Sequence, residues 1–359
     1  MSTTTATKQV QNSYASGQLG RGVPWMILAG SLVVSGAISA LIGAANGSGI
    51  NIVGTAILGA VFYAIAIYVS SRLVEGPRKA LDRLVTTLVV GAFLLALAPL
   101  LSLLFTVVTN GSHRFDIQFF TNSMRNVVGE GGGGLHAIVG TLLMTLTAAL
   151  ISVPIGLMTA IYLVEYGRGH LARAITFFVD VMTGIPSIVA GLFAYALFTI
   201  FFGPGIRLGI AGAIALAVLM IPVVVRSSEE MLKLVPNELR EASYALGVPK
   251  WLTIVKIVLP TSIAGITTGI MLAVARVIGE TAPLLVAAGF TSNMNWDLTE
   301  GRMQSLPLLV YSSYVSQGSV ADADLNRAWA GALTLILIVM LLNLAARLVA
   351  KIYAPKLGR

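Results

Sequence analysis

Long apolar runs separated by short polar stretches make up most of this 359-residue chain. Eight runs stand out, at about 24–43, 50–71, 84–108, 135–163, 173–202, 207–226, 263–290 and 328–352. Each reaches or exceeds the ~20 residues with which a helix crosses a ~30 Å hydrocarbon core, so the pattern predicts an all-α bundle of eight membrane-spanning helices. The first two runs meet at Asn46-Gly47-Ser48-Gly49 and predict a helical hairpin, with Trp25 at its membrane interface. Neither carries an ionisable residue in its apolar part, so the hairpin reads as packing or lipid contact. With the basic link 72–83 it forms one region, 23–83; the other six runs form a second, 84–352. Residues 1–22, rich in Ser, Thr and Gln, read as a disordered tail, and 353–359 as a second short tail. The run behind the first tail is too long for a signal-peptide h-region and lacks a cleavage site, so it reads as a retained span.

Composition agrees: 56% of the residues are hydrophobic and 11% charged, with a mean hydropathy of +0.88, outside the range of soluble domains. A net charge of +8 raises nucleic acid as a partner, but its distribution argues against one. With the N-terminus inside, most Lys and Arg fall in cytoplasmic segments, while outer segments hold Arg114, Arg125, Arg207, Arg302 and Arg327 against a slight excess of acids. The positive-inside rule then places both termini in the cytoplasm and makes the basic residues a topology signal. There is no cysteine, and His113, His136 and His170 are far apart, so no catalytic nucleophile or metal site is expected. No Walker motif occurs, so the chain is not expected to split ATP itself.

The polar interruptions carry the remaining signals. An outer loop at 109–134 contains Phe115, Phe119, Phe120 and the run Gly129-Glu130-Gly131-Gly132-Gly133-Gly134. Glycine runs can cradle phosphate through backbone amides, but this one lacks Gly-Lys-Ser/Thr and reads as a flexible linker. A second outer loop, 291–327, holds Trp296 and reads as a docking surface or a solvated loop. Inside the runs, Pro154 and Gly184-Ile185-Pro186-Ser187-Ile188 predict kinks. Asp180 beside the second adds a sharper reading, a hinge next to a pathway.

Between the sixth and seventh runs, 237–260 reads as a helix, a turn and a second helix. Asn237 is a candidate N-cap, Glu238 and Glu241 fall in the first turns, and Gly247 supplies a left-handed C-cap. Leu239, Ala242, Ser243 and Leu246 share a face. Pro249 starts the second helix, and Pro260 ends it or opens the next span. Such an exposed helix pair between spans suits a protein partner.

The seventh run carries charge. Counting from Ile263 at ~1.5 Å per residue, Arg276 lies about 20 Å in, near the bilayer middle, where an Arg costs roughly 2.5–3.5 kcal/mol. Glu280 follows at i+4, and Gly265, Gly269, Leu272, Gly279 and Pro283 give the same face an inward-looking character. Two readings stand. Arg276, Glu280 and Asp180 form a buried network that fixes packing, or Arg276 offers a bidentate fork to an oxyanion in transit, with Glu280 accepting a proton-bearing oxygen of phosphate.

Glu241-Ala242-Ser243, three residues, Gly247, nine residues, Ile257, one residue and Leu259-Pro260 resemble the E-A-A-x3-G-x9-I-x-L-P motif of permease subunits of bacterial binding-protein-dependent ABC importers, Ser243 being the one departure. In that family the motif forms cytoplasmic coupling helices seated in the ATPase. Arg276-Val277-Ile278-Gly279-Glu280-Thr281-Ala282-Pro283-Leu284-Leu285 is similar to a segment of the PstA-type permeases of phosphate-specific importers, as are Gly184–Ile188 and Glu165-Tyr166. The likeness covers about 84–352, so the leading hairpin exceeds it. It implies a non-catalytic, multi-pass subunit of the bacterial cytoplasmic membrane that imports inorganic phosphate. Its implied partners are a sister permease, two ATPase copies that bind the ATP and Mg, and an extracytoplasmic phosphate-binding protein. No cofactor is expected in the chain itself. The resemblance further implies a substrate pathway at Arg276, Glu280, Thr281 and Asp180. Coupling falls to Glu241, Ala242, Ser243, Gly247, Ile257, Leu259 and Pro260, and hinges to Gly184, Pro186 and Pro283. Alternatives are the same machine carrying molybdate or sulfate, or an ion-driven anion transporter or channel.

Overall fold

The structure, a computed structural model, describes residues 17, 19–47, 49, 51–318 and 320–353, with side chains as far as 348. Most of the tails expected at 1–22 and 353–359 lies outside these residues; of the tails, 17, 19–22 and 353 are described. Fourteen helices are described: α1 Val23–Asn46, α2 Ile52–Val74, α3 Pro77–Gly111, α4 Ile117–Thr121, α5 Leu135–Ile161, α6 His170–Thr183, α7 Ser187–Phe202, α8 Gly209–Lys233, α9 Asn237–Ala245, α10 Lys250–Thr253, α11 Leu259–Val277, α12 Ala282–Ala287, α13 Leu306–Val315 and α14 Ala321–Tyr353. No strand occurs among the described residues. Seven helical stretches are long and apolar enough to cross a membrane, or eight when the bent pair α6 and α7 counts as one. The chain divides into two compact units, Met1–Leu104 and Phe105–Arg359, with the division inside α3.

In the first unit α1 and α2 meet along a seam of small residues. Ser31, Ser35, Ser39 and Gly43 recur every four residues on α1 and are buried. A methyl group on Gly59 of α2 would lie 2.9 Å from a Leu32 methyl and 3.0 Å from the Ser35 hydroxyl, so any larger residue there would make those side chains move. Close backbone packing of this kind is what holds helices together where lipid is as apolar as the side chains. Asn51 caps α2 by accepting from the Gly54 N–H at 3.0 Å. The basic link beyond α2 is ordered around buried Glu75, which accepts from Arg83 Nε and Nη2 at 2.6 and 2.8 Å, from Ser71 at 2.7 Å and from the Leu19 N–H at 2.9 Å. The Arg83 fork holds its carboxyl at a pKa of about 2, below the ordinary 4.5.

The second unit is built on α5 and α8. Gly156 faces Val224 so closely that a methyl group would lie 2.7 Å from it, and the Ser152 hydroxyl donates to Ala148 O at 2.6 Å. Met144, Leu216, Met220, Val277 and Leu284 fill the centre. Helix α11 lies on α8 through Gly265, against Met231, and Gly269, against Ser227. Helix α7 lies on α12, where Gly191 meets the Pro283 backbone.

Three stretches depart from the sequence-based picture. The kink expected at Gly184–Ile188 is present but goes further than a kink: the fifth run is broken at Gly184–Pro186, and α6 and α7 diverge by 109°. The stretch 291–327 is neither open docking surface nor solvated loop throughout: Met303, Gln304, Ser305, Leu306 and Leu308 are buried, and α13, at ten residues, is too short to span. The Leu306 N–H donates to Thr141 on α5 at 2.7 Å, and Gly140 is pressed against Gln304 O. The glycine run is a packed turn and not a flexible linker. Buried Arg327 donates to Gly129 O and Gly131 O at 2.8 and 2.9 Å, and a methyl group on Gly133 would lie 2.6 Å from two carbonyl oxygens.

Candidate functional site

The stretch 237–260 folds as an elbow. Helix α9 begins at Asn237 behind Pro236, so Asn237 is its first residue and not its cap; the Asn237 amide oxygen accepts from Arg240 instead. Glu238 sits in the first turn, where the dipole favours it. Gly247 has φ +76°, and the Val248 N–H reaches back to Ser243 O at 3.2 Å, closing the helix in the left-handed manner expected. Leu239, Ala242 and Leu246 of the predicted face are exposed, while Ser243 turns inward. There its hydroxyl pairs with that of Thr253 at 2.8 Å, across the bend. Ser243 in place of alanine is thus a hydrogen-bonding residue and not only a small one.

The second arm is not a separate helix. From Lys250 the chain runs as one apolar helical stretch to Val277, with a π turn at Ile254–Val258. Pro260 lacks the N–H that would bond to Lys256 O, and the wider turn ahead of it absorbs that loss. Ile257 and Leu259 are half-buried and Pro260 is exposed.

Glu165, at the end of α5 in a second π turn, Tyr162–Tyr166, fastens the elbow. Arg240 Nε and Nη2 donate to one of its carboxylate oxygens at 3.0 and 2.9 Å, with side chains only 5% and 11% exposed. Arg240 also donates to Val235 O at 2.6 Å and Leu232 O at 3.0 Å. Lys250 donates to Glu165 O and lies 4.7 Å from the centre of the Tyr166 ring. Sequence reasoning missed this clamp, although Glu165-Tyr166 was singled out.

The charged run departs from expectation. Helix α11 stops at Val277, and α12 opens with Pro283 in its first turn, so Glu280 lies in the break and not one helical turn beyond Arg276 on a continuous face. Pro283 removes the N–H that would bond to Gly279 O, and together with the weak helix former Gly279 it favours a break here, although Pro154 and Pro222 are carried inside α5 and α8. Arg276 is exposed and Glu280 and Thr281 are half-buried. No ion pair joins Arg276 to Glu280 among the described residues. Asp180 does not join them either: its carboxylate, 60% exposed, pairs with Arg226, which also donates to Glu229 at 2.8 Å. The buried three-residue network is therefore not what the chain forms.

A helical membrane bundle whose long spans are joined by an exposed, motif-bearing elbow is the architecture of an importer permease. The chain belongs to the family described as binding-protein-dependent transport system inner membrane component, which matches residues 152–359. It is 48% identical over 275 residues to the phosphate transport system permease protein PstA 1 of Mycobacterium tuberculosis (strain H37Rv), covering 76% of this chain and 88% of that one. The PstA protein of Yersinia pestis is 42% identical over 286 residues, covering 78% and 93%. Among solved structures, a chain of the MetNI methionine ABC transporter in an inward-facing conformation superposes with a TM-score of 0.51 at 21% identity, covering 62% of this chain and 96% of its own.

Proposed function

We propose that this chain is the membrane subunit through which an ATP-driven importer carries inorganic phosphate across the bacterial cytoplasmic membrane. The observation that carries the reading is Arg276: a guanidinium in a membrane-spanning segment, exposed and without an ion pair among the described residues, at the end of the long stretch that begins in the elbow. A charge left so in a bilayer needs a partner subunit, water or an anion beside it. Arg presents the planar fork that suits a phosphate oxyanion, and Glu280 and Thr281 in the adjacent break supply an acceptor and a hydroxyl. The PstA relatives support phosphate as that anion.

The importer would hold this subunit beside a sister permease, with two ATPase copies that themselves bind Mg-ATP, one of them seated on this elbow, and an external phosphate-binding protein delivering substrate. Glu241, Ala242 and Leu246, exposed on α9, would meet the ATPase. Arg276→Ala tests the reading: the variant assembles with its partners and fails to import phosphate, and normal uptake would overturn it. Phosphate-over-sulfate preference unchanged in Glu280→Gln would remove the proton-recognising role of Glu280. Competition by unlabelled molybdate or sulfate decides the oxyanion, and vanadate-insensitive uptake by the chain alone would favour an ion-driven carrier.

A further inference from the structure

The first unit contains a cleft whose lining changes from charged to hydroxyl to apolar along its length. At one end a cavity of about 480 Å³ is lined by Lys79, Asp82 and Arg83 at the start of α3, with Glu75 and Tyr63 opposite. A second cavity of about 480 Å³ is lined by Trp25 and Leu28 of α1, Ala60 of α2, and Val90, Gly91 and Leu94 of α3. The two share Tyr63, Thr86 and Thr87, all hydroxyl-bearing. On α3 the lining positions recur at i, i+3, i+4 and i+7, so a single face runs from Lys79 to Leu94, about 22 Å at 1.5 Å per residue. One leaflet with its headgroup region is about 20–22 Å deep, half of a ~40–45 Å bilayer.

We propose that this cleft is a binding site for one phospholipid molecule with an ethanolamine headgroup, its phosphate on Lys79, its ammonium on Asp82, its ester region at Tyr63, Thr86 and Thr87, and an acyl chain against Val90, Gly91 and Leu94. The headgroup follows from the charges. Glu75 and Arg83 neutralise each other through a bidentate pair. Lys79 and Asp82 make no direct ion pair among the described residues and are both exposed, so a cation and an anion stand three residues apart on one face of α3, with only a longer-range attraction between Asp82 and Arg83. A zwitterion that donates N–H bonds matches both; an anionic headgroup leaves Asp82 opposed, and choline has no N–H to give it. The site gives the hairpin a role independent of which anion the protein carries.

The test uses delipidated full-length protein, incubated with equal amounts of phosphatidylethanolamine, phosphatidylglycerol and phosphatidylcholine in mixed micelles, washed and analysed by native mass spectrometry. One phosphatidylethanolamine is retained, roughly fivefold over either competitor, as two exposed charge pairs would give. Lys79→Ala with Asp82→Ala, which leaves the net charge unchanged, brings the three lipids to parity. Gly91→Leu places a branched side chain in the apolar end from a Cβ that itself meets nothing within 4 Å. It lowers retention roughly tenfold or more by displacing several CH₂ groups. Equal retention of the three lipids by the unaltered protein, full retention by Gly91→Leu, or displacement by free inorganic phosphate would overturn the proposal. The chain has no cysteine of its own, so Gly91→Cys carrying a photo-crosslinker reads the occupant within the assembled complex. A lipid adduct supports the site, and a protein adduct refutes it.

Discussion

Removing the Glu165 carboxylate should loosen helix α9 while leaving the spans in place. Arg240 uses its guanidinium on four acceptors: Glu165, Leu232 O, Val235 O and Asn237. Breaking a buried pair by deleting one partner costs about 3–5 kcal/mol, and the three acceptors that remain place Glu165→Ala at the lower end, about 3 kcal/mol. At 1.4 kcal/mol per decade, the α9 amides should exchange their hydrogens roughly 100-fold faster if α9 opens as a local unit. Glu165→Gln keeps a neutral acceptor for the two N–H groups and loses only the charge assistance, about 1–1.5 kcal/mol, or roughly tenfold. Glu165→Ala combined with Arg240→Ala leaves no unpaired charge and should recover part of the loss. The assay is hydrogen exchange with mass spectrometry on full-length protein in lipid discs, reading 237–245 against α13 as an internal control. Unchanged exchange in α9 of Glu165→Ala, or an equal rise in α13, would refute the clamp.

Ser243→Ala, although it restores the residue usual at that motif position, should lower stability by ~1 kcal/mol, read as a lower thermal midpoint, because the hydroxyl of Thr253 loses its 2.8 Å partner. Gly191→Ala places a methyl group 2.5 Å from Pro283 Cα, a backbone atom that cannot rotate away, and should cost about 1–3 kcal/mol or more with a sharp fall in transport. Gly279→Ala meets nothing within 4 Å and should assemble normally; the reverse order of severity would contradict the placement of α7 on α12. Glu75 titrates at about 2 when folded against the ordinary 4.5, so its contribution to the link is complete above about pH 4.5 and lost as pH falls through about 2. Exchange rates of the 75–83 amides, corrected for intrinsic pH dependence, should stay flat from pH 7 to 5 and rise in Glu75→Gln at pH 7.

What could be read from the sequence was what local rules encode. Gly247, Pro249 and the acidic first turn of the elbow act within a few residues of themselves, so α9 and its stop appear where expected. The apolar runs located the long helices because lipid demands apolar length and little else. The same criterion hid the break between Arg276 and Glu280, since 263–290 reads as one predominantly apolar run whether or not its helix is continuous. Only Gly279 and Pro283 hinted otherwise, and both were assigned to a face instead of a boundary. The Glu165–Arg240 clamp joins residues 75 apart and the Leu306–Thr141 bond residues 165 apart. No periodicity reports such pairings. The glycine run misled because composition cannot distinguish glycines that confer freedom from glycines required by contact, as Gly133 is.

The elbow's connection to Arg276 is more direct than the spacing from Pro260 suggested. Lys250 and Val277 are the ends of one 28-residue helical stretch, a rod of about 40 Å, so a tilt of ~5° at the elbow displaces the Arg276 end by roughly 3–4 Å. The only irregularity along that rod is the π turn at Ile254–Val258, and the only other π turn described, Tyr162–Tyr166, ends the neighbouring α5. Both flank the elbow, and Glu165 touches both of its arms: its carboxylate holds Arg240 and its carbonyl holds Lys250. A push on α9 therefore reaches α5 and α11 through one residue. The π turns, the departures from α geometry in these two stretches, are where those spans can yield without unpacking the glycine contacts that fix α11 against α8. Under the proposed function, the ATPase would act on a junction of two spans and not on a single lever, and Arg276 stands at the far end of one of them.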